Sequence, residues 1–262
     1  MPFRKNGAVR FYSFDILDEA GVINAVFTRQ GGLSPDPWAS LNVGGLIGDE
    51  PQRVYENRVI SFEALGRAPI SVYAVWQVHS ADVICTGAPR PAHTPHQKAD
   101  AILTDRPEVS LFMRFADCVP ILFYDPVKQV VGVAHAGWRG TVEGITSRTV
   151  ETMLDVYGCK STNILAAIGP AIGSHHYEVG PEVAEQVQDS FGTESASLLL
   201  SDNGAVHFDL WSANRLQLER MGLRMIEMSG ICTACHPEDW YSHRGEHGKT
   251  GRFGALIALR AA

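Results

Sequence analysis

Residues 119–141 run "VPILFYDPVKQVVGVAHAGWRGT" and hold two strand-like runs, 119–124 and 129–135, the second apolar from Val130 to Ala134 and ending in His135, separated by "DPVK". A strand with one wet face alternates apolar and polar residues. A continuous run of this length, bounded by turn residues, instead suits a strand buried on both faces. Beyond His135 the chain turns through "AGWRG" and enters 141–157, "TVEGITSRTVETMLDVY". There Val142, Ile145, Thr149, Met153 and Val156 recur at helical spacing, Thr141 is placed to cap, and Gly158 to stop the helix.

Working outward, further strands are expected at 22–28, 72–78, 101–104, 109–115, 163–168, 223–228 and 254–259. Helices are expected at 51–65, 181–191 and 209–221, the last capped by Asp209. Strands outnumber helices and do not alternate regularly with them, which argues against a Rossmann or (β/α)₈ fold and for an α+β fold with mixed β-sheets. The stretch 88–98, "APRPAHTPHQK", is a surface loop by composition and too short to link domains. No repeat is evident, so 1–262 is expected to form a single domain.

Composition removes several function classes. A net charge of −7, with no Lys/Arg run along any segment, argues against a nucleic-acid binder while leaving room for a local cationic pocket. No apolar stretch approaches the roughly 20 residues of a membrane span. The opening "MPFRKNGAVRFYSF" lacks the apolar core of a secretory signal, so a cytoplasmic location is expected, with the five cysteines mostly reduced thiols.

Three residues at the ends of buried strands could carry chemistry: His79 in "VWQVHSADV", Cys118 in "RFADCVPILFYD", and His135. Two imidazoles and a thiolate can hold zinc tetrahedrally with one position open, the arrangement of a catalytic site. The bland alternative is a buried thiol with two satisfied histidines, because free cysteine is commonly a core residue. Arg29, Arg139, Arg244 and Arg252 all sit in glycine-containing turns, where a guanidinium fork can meet phosphate or carboxylate. Arg139 also opens a helix, whose first N–H groups favour an anion. Glu178 offers an acid or base. His93, His96, His175 and His176 read as solvated loop histidines. "CTACH" at 232–236 matches the haem-attachment pattern, but no export signal accompanies it and no second CxxC completes a zinc ribbon. Cys232 and Cys235 therefore read as a coincidental loop pair.

Together the motifs "FTRQGGLS", "SLNVG", "GDEPQRVYENR", "QVHSADV", "ADAILTD", "ADCVPILFYD", "HAGWRGT", "IGPAIGSHHYEVG", "ICT" and "SHRGEHGKTGRFG" resemble those of the YfiH-type family. This family is also called laccase-domain or polyphenol-oxidase-like, and in bacteria peptidoglycan editing factor. The resemblance covers about residues 22–260. It implies an α/β/β/α sandwich similar to putative cysteine hydrolases of the deamidating-toxin type. It also implies a zinc or copper site from His79, Cys118 and His135, with Cys118, His135 and Glu178 as catalytic residues. Substrate-binding positions would be Arg29, Asn42, Gln77, Arg139, Arg244 and Arg252. The implied activity is phosphorolysis of adenosine, inosine and methylthioadenosine, with adenosine deamination at the same metal. Small-molecule nucleosides and phosphate would then be the partners, with no nucleic acid or membrane. One departure is that the family's Tyr-Arg-Arg run is reduced here to Arg244 in "SHRG".

Three rival functions are a copper phenol oxidase, a Cys118–His135 hydrolase and a binder or editor of cell-wall precursors. Multicopper oxidases use many histidines and a His-Cys-His pattern, whereas this chain offers one His₂Cys set. A Cys–His hydrolase is chemically sound, since an imidazole can activate a thiolate.

Overall fold

The two apolar runs form strands Val119–Asp125 and Val130–Ala136, paired antiparallel with Val119 opposite Ala136 and Asp125 opposite Val130. This is a computed structural model, and it describes residues 2–260. Side chains alternate between faces along a strand. Val119, Ile121 and Phe123 meet one core, while Leu122 and Tyr124 meet another. Every residue of both strands is buried, which is why neither run shows a polar alternation.

These strands lie at the centre of a six-stranded mixed sheet ordered Met225–Met228, Leu165–Ile168, Val119–Asp125, Val130–Ala136, Ala101–Thr104, Val83–Cys85. Its outermost pairs are parallel and its inner ones antiparallel. A second six-stranded sheet runs Phe3–Asn6, Val9–Tyr12, Ile23–Phe27, Phe253–Ala258, Ser110–Phe115, Val72–Tyr73. Between the sheets, Met113, Phe115, Ala255 and Ile257 pack against Ile102, Leu122, Val131 and Val133. Helices Ile145–Tyr157, Pro181–Phe191 and Leu210–Arg220 cover the outer face of the first sheet through Ile145, Met153, Val187, Phe191 and Leu218. Helix Pro51–Glu63 covers the second through Phe62, whose ring meets Phe112 edge-on at 5.0 Å. The α+β, mixed-sheet reading holds, as four layers. A small antiparallel sheet, Glu178–Val179, Ala205–Phe208, Leu199–Asp202, lies outside them.

Two departures have physical causes. The helix expected from 141 begins at Ile145, because Gly144 takes φ 84° and separates it from a short helix, Trp138–Val142. Thr141 does not cap; it is buried and accepts from Asn214 Nδ2. The buried face is Ile145, Thr146, Thr149, Val150 and Met153, and Val156 is exposed. The expected stop at Gly158 is present, with φ 64°. The hairpin Phe3–Asn6/Val9–Tyr12, strand Val83–Cys85 and the hairpin Leu199–Asp202/Ala205–Phe208 are additions: the hairpins mix polar residues into strands of four, and Val83–Cys85 is only three residues long, too short for a search for apolar runs. Asp209 caps as expected, accepting from Ser212 N at 3.0 Å. Among the described residues, no helix is long and apolar enough to cross a membrane.

Candidate metal centre and adjoining cleft

The sheet register brings together two of the three sequence candidates. His135 shares the inward face of Val131 and Val133 and pairs across the hairpin with Pro120. Cys118 stands one residue before its strand, on the inward side with Leu122. His79 arrives from a loop and holds a left-handed backbone, φ 62°. The donor atoms of His79, Cys118 and His135 all lie within 4.8 Å of one another. The two imidazoles meet edge-on, centroids 5.0 Å apart.

One buried carboxylate positions both histidines. Asp100 Oδ1 is 2.8 Å from His135 Nδ1. A carboxylate only accepts, so Nδ1 carries a proton whatever the charge of the ring, and Nε2 is the nitrogen left to face Cys118 and His79. Asp100 Oδ2 accepts from the Val78 and Ser80 backbone N–H groups at 3.1 and 2.7 Å, gripping the turn on either side of His79. Burial alone would raise the Asp100 pKa, but its bond to His135, the imidazole's charge and those N–H donors together lower it. Asp100 was not singled out from sequence. Its partnership with His135 arises because it immediately precedes Ala101–Thr104, which pairs with the His135 strand.

Burial should raise the Cys118 thiol, yet the charge of His135 and hydrogen bonds from both histidines bring it down to about 6. His135 responds oppositely. Burial lowers it, and the Cys118 charge with the Asp100 bond raises it to about 9. The favoured pair is thiolate and imidazolium when no metal is bound. A thiolate is also the form that ligates.

The donor set fits zinc: two neutral nitrogens, one thiolate, a carboxylate behind one histidine. Gly137 is part of this fit. A Cβ there would sit 2.9 Å from Cys118 Sγ and 3.0 Å from His79 Cδ2, so only glycine leaves the donors their room. Asp117 supports the other side at φ 81°, a conformation Asp tolerates better than most residues. Thr233 Oγ1 donates to its Oδ1 at 2.7 Å and Arg244 N to its Oδ2 at 2.6 Å.

A cleft of about 470 Å³ opens beside His135, walled by Gly44–Ile47, Trp76, Gln77, Arg58, Arg114 and Arg252. It adjoins a second of about 370 Å³ that shares Arg58, His96 and Arg114 and adds Arg90. Among the described residues none of these four arginines makes an ion pair. Burial and the charge of Arg58 lower the Arg114 pKa to about 10, and burial with Arg90, Arg114 and Arg58 lowers His96 to about 4. Arg58, Arg90 and Arg114 gather positive charge without a carboxylate partner among the described residues, while Arg252 also faces Cys118 and Asp117; such a concentration of positive charge favours an anion.

The sequence candidates fall unevenly around it. Arg252 lines the cleft, its Nη1 also donating to the carbonyls of Thr250 and Gly251. Gln77 lines it and binds Arg114 three times, Nε2 donating to its carbonyl and Oε1 accepting from its backbone N–H and from its Nε. Asn42 is fully buried and committed to the backbone of Gly44 and Arg252 and to Asp49. Arg29 is committed to Glu246 and the carbonyls of Ala39 and Pro237. Arg244 Nη1 donates to the Glu178 carbonyl, its guanidinium 5.1 Å from the Tyr177 ring. Arg139 is exposed over Trp138, outside the residues walling the cleft, and Trp138 itself packs into the core beneath the helices. Glu178 is exposed, and its carboxylate accepts no hydrogen bond among the described residues. Arg58 and Arg114 were missed. The first ends the motif "GDEPQRVYENR", and the second is an arginine inside an otherwise apolar strand, a signal in itself.

A family profile described as "Multi-copper polyphenol oxidoreductase laccase" matches residues 23–260. Relatives named purine nucleoside phosphorylase include one from Deinococcus radiodurans, 40% identical over 238 residues, covering 91% of this chain and 89% of that protein. Another, YfiH from Escherichia coli, is 35% identical over 240 residues, covering 91% and 94%. The crystal structure of YlmD from Geobacillus stearothermophilus superposes with a TM-score of 0.91 at 33% identity, covering 99% of both chains. That of Neisseria meningitidis NMB0706 gives 0.81 at 28%, covering 100% of both. The chain therefore belongs to the YfiH-type family, in which the Deinococcus radiodurans and Escherichia coli relatives carry the name purine nucleoside phosphorylase.

Proposed function

We propose that this protein is a purine nucleoside phosphorylase, cleaving adenosine, inosine or S-methyl-5′-thioadenosine with phosphate, and that the same centre deaminates adenosine. The observation carrying the phosphorolytic reading is the arginine-lined cleft opening onto His135. Phosphorolysis breaks the C1′–N bond, the purine leaving with the electron pair while a phosphate oxygen bonds to C1′. An enzyme for this reaction must hold a polyanion against a cationic ribose and stabilise the departing base. Arg252, Arg58 and Arg114 offer the phosphate-binding forks, and Gln77 holds Arg114 in place. Arg244, whose backbone N–H binds Asp117, and Arg139, in the turn after His135, would add further forks for the phosphate. Trp76, 48% exposed at the cleft, offers a flat apolar face for a base. Arg29 and Asn42 would act by holding the cleft's walls.

His79, Cys118 and His135 would hold the metal, which when bound supplies a Lewis acid for the base and activates water for deamination. Asp100 keeps His135 in the ligating tautomer. Zinc suits this set, and the laccase description keeps copper as the alternative.

A specific observation favours a second reading. Cys118 thiolate, His135 and Asp100 stand in the order of a nucleophile, base and orienting acid, the constellation of a cysteine hydrolase. Product analysis separates the two. Metal-defined protein is incubated with a nucleoside panel, with and without phosphate, after chelation or after alkylation. Phosphorolysis requires phosphate and is lost on chelation. A hydrolase ignores both and fails on alkylation.

A further inference from the structure

The CxxC pair and the two adjacent histidines, unrelated in the sequence reading, meet in the fold. A parallel bridge joins Ala171 to Cys232, with Ala171 N donating to the Ile231 carbonyl and Thr233 N to the Ala171 carbonyl. This laces segment 171–176 against 231–235. A single 3₁₀ turn, Ser174–His176, then presents both imidazoles towards the cysteines. Donor atoms of His175, His176, Cys232 and Cys235 all lie within 4.8 Å of one another.

We propose that these four residues form a second metal site, a closed His₂Cys₂ site for zinc, distinct from the centre at His79, Cys118 and His135. The donor set is that of structural zinc, with four protein ligands and no open position. With zinc–ligand bonds of ~2.0–2.3 Å, a tetrahedral site has donors roughly 3.3–3.8 Å apart, so only a small contraction is needed. His175 Nε2 is already 3.1 Å from Cys235 Sγ. Gly173 N–H donates to Cys232 Sγ at 3.2 Å, holding that sulfur against the 3₁₀ turn that carries the histidines. Gly173 also makes room, since a Cβ there would lie 2.5 Å from His175 Cε1. Both cysteines are free thiols, and none of the four residues makes an ion pair among the described residues.

The consequence is architectural. Ile172 N donates to the Asp117 carbonyl and Thr233 Oγ1 to the Asp117 carboxylate, and Asp117 adjoins Cys118. An ion at the second site fastens the two segments that brace the first, and it does so whatever reaction the first performs.

The test is metal counting on the full chain, reduced, saturated with zinc and freed of excess. Wild type should hold two zinc ions per chain. Cys235→Ser and His176→Ala, both at exposed positions, should each hold one, as should Cys118→Ala. The double variant Cys118→Ala/Cys235→Ser should hold none. Cobalt(II) gives an independent reading: Cys118→Ala should keep thiolate-to-cobalt absorption and tetrahedral d–d bands, which the double variant loses. One zinc in wild type, an undiminished count in both Cys235→Ser and His176→Ala, or no cobalt–thiolate band in Cys118→Ala would overturn the proposal.

Discussion

At the scale of single residues, the centre depends on one missing side chain and one hidden carboxylate. Gly137 has φ −75° and ψ 174°, so alanine meets no backbone strain there, and the only cost is the contact with Cys118 and His79. Gly137→Ala should therefore shed the metal while keeping the urea midpoint near wild type. Equal metal occupancy would contradict the crowding. Asp100→Asn keeps the shape but removes the charge behind His135. Outer-shell partners of this kind are worth about 10–100-fold in metal affinity, the loss expected in chelator competition. His79, Cys118 and His135 were legible because each ends or precedes an apolar run. Asp100 was not, since an acid before a strand has many ordinary uses and its partner is fixed by sheet register. The same holds for the two histidines and two cysteines joined through the Ala171–Cys232 bridge.

At the scale of elements, buried strands announced themselves by continuous apolarity, and the polar hairpins at 3–12 and 199–208 did not. The misplaced helix start has one cause: helical spacing runs through Gly144 although its backbone does not. That glycine has φ 84° and open space around a would-be Cβ, so Gly144→Ala is strained without any clash. A left-handed non-glycine residue costs roughly 1–2 kcal/mol, which should appear as a lower urea midpoint with unchanged metal content. A neutral or stabilising effect would show that the chain relaxes there.

At the scale of the whole molecule, two sheets bring distant motifs to one end, and positive charge collects beside them. The arginines escaped a sequence search for turn-borne forks because Arg58 lies on a helix and Arg114 on a strand. A charge-assisted contact to phosphate is worth roughly 1.5–3 kcal/mol, so Arg252→Ala should raise the phosphate KM about 10- to 150-fold. Deamination of adenosine, which takes no phosphate, should change far less. The measurement reaching furthest is ribose-1-phosphate formation from inosine by zinc-loaded wild type and by Cys118→Ala across a phosphate titration. Phosphorolysis at this centre predicts a product that rises with phosphate in wild type and is lost in the variant. Free ribose in place of ribose-1-phosphate, or undiminished ribose-1-phosphate from Cys118→Ala, would contradict it.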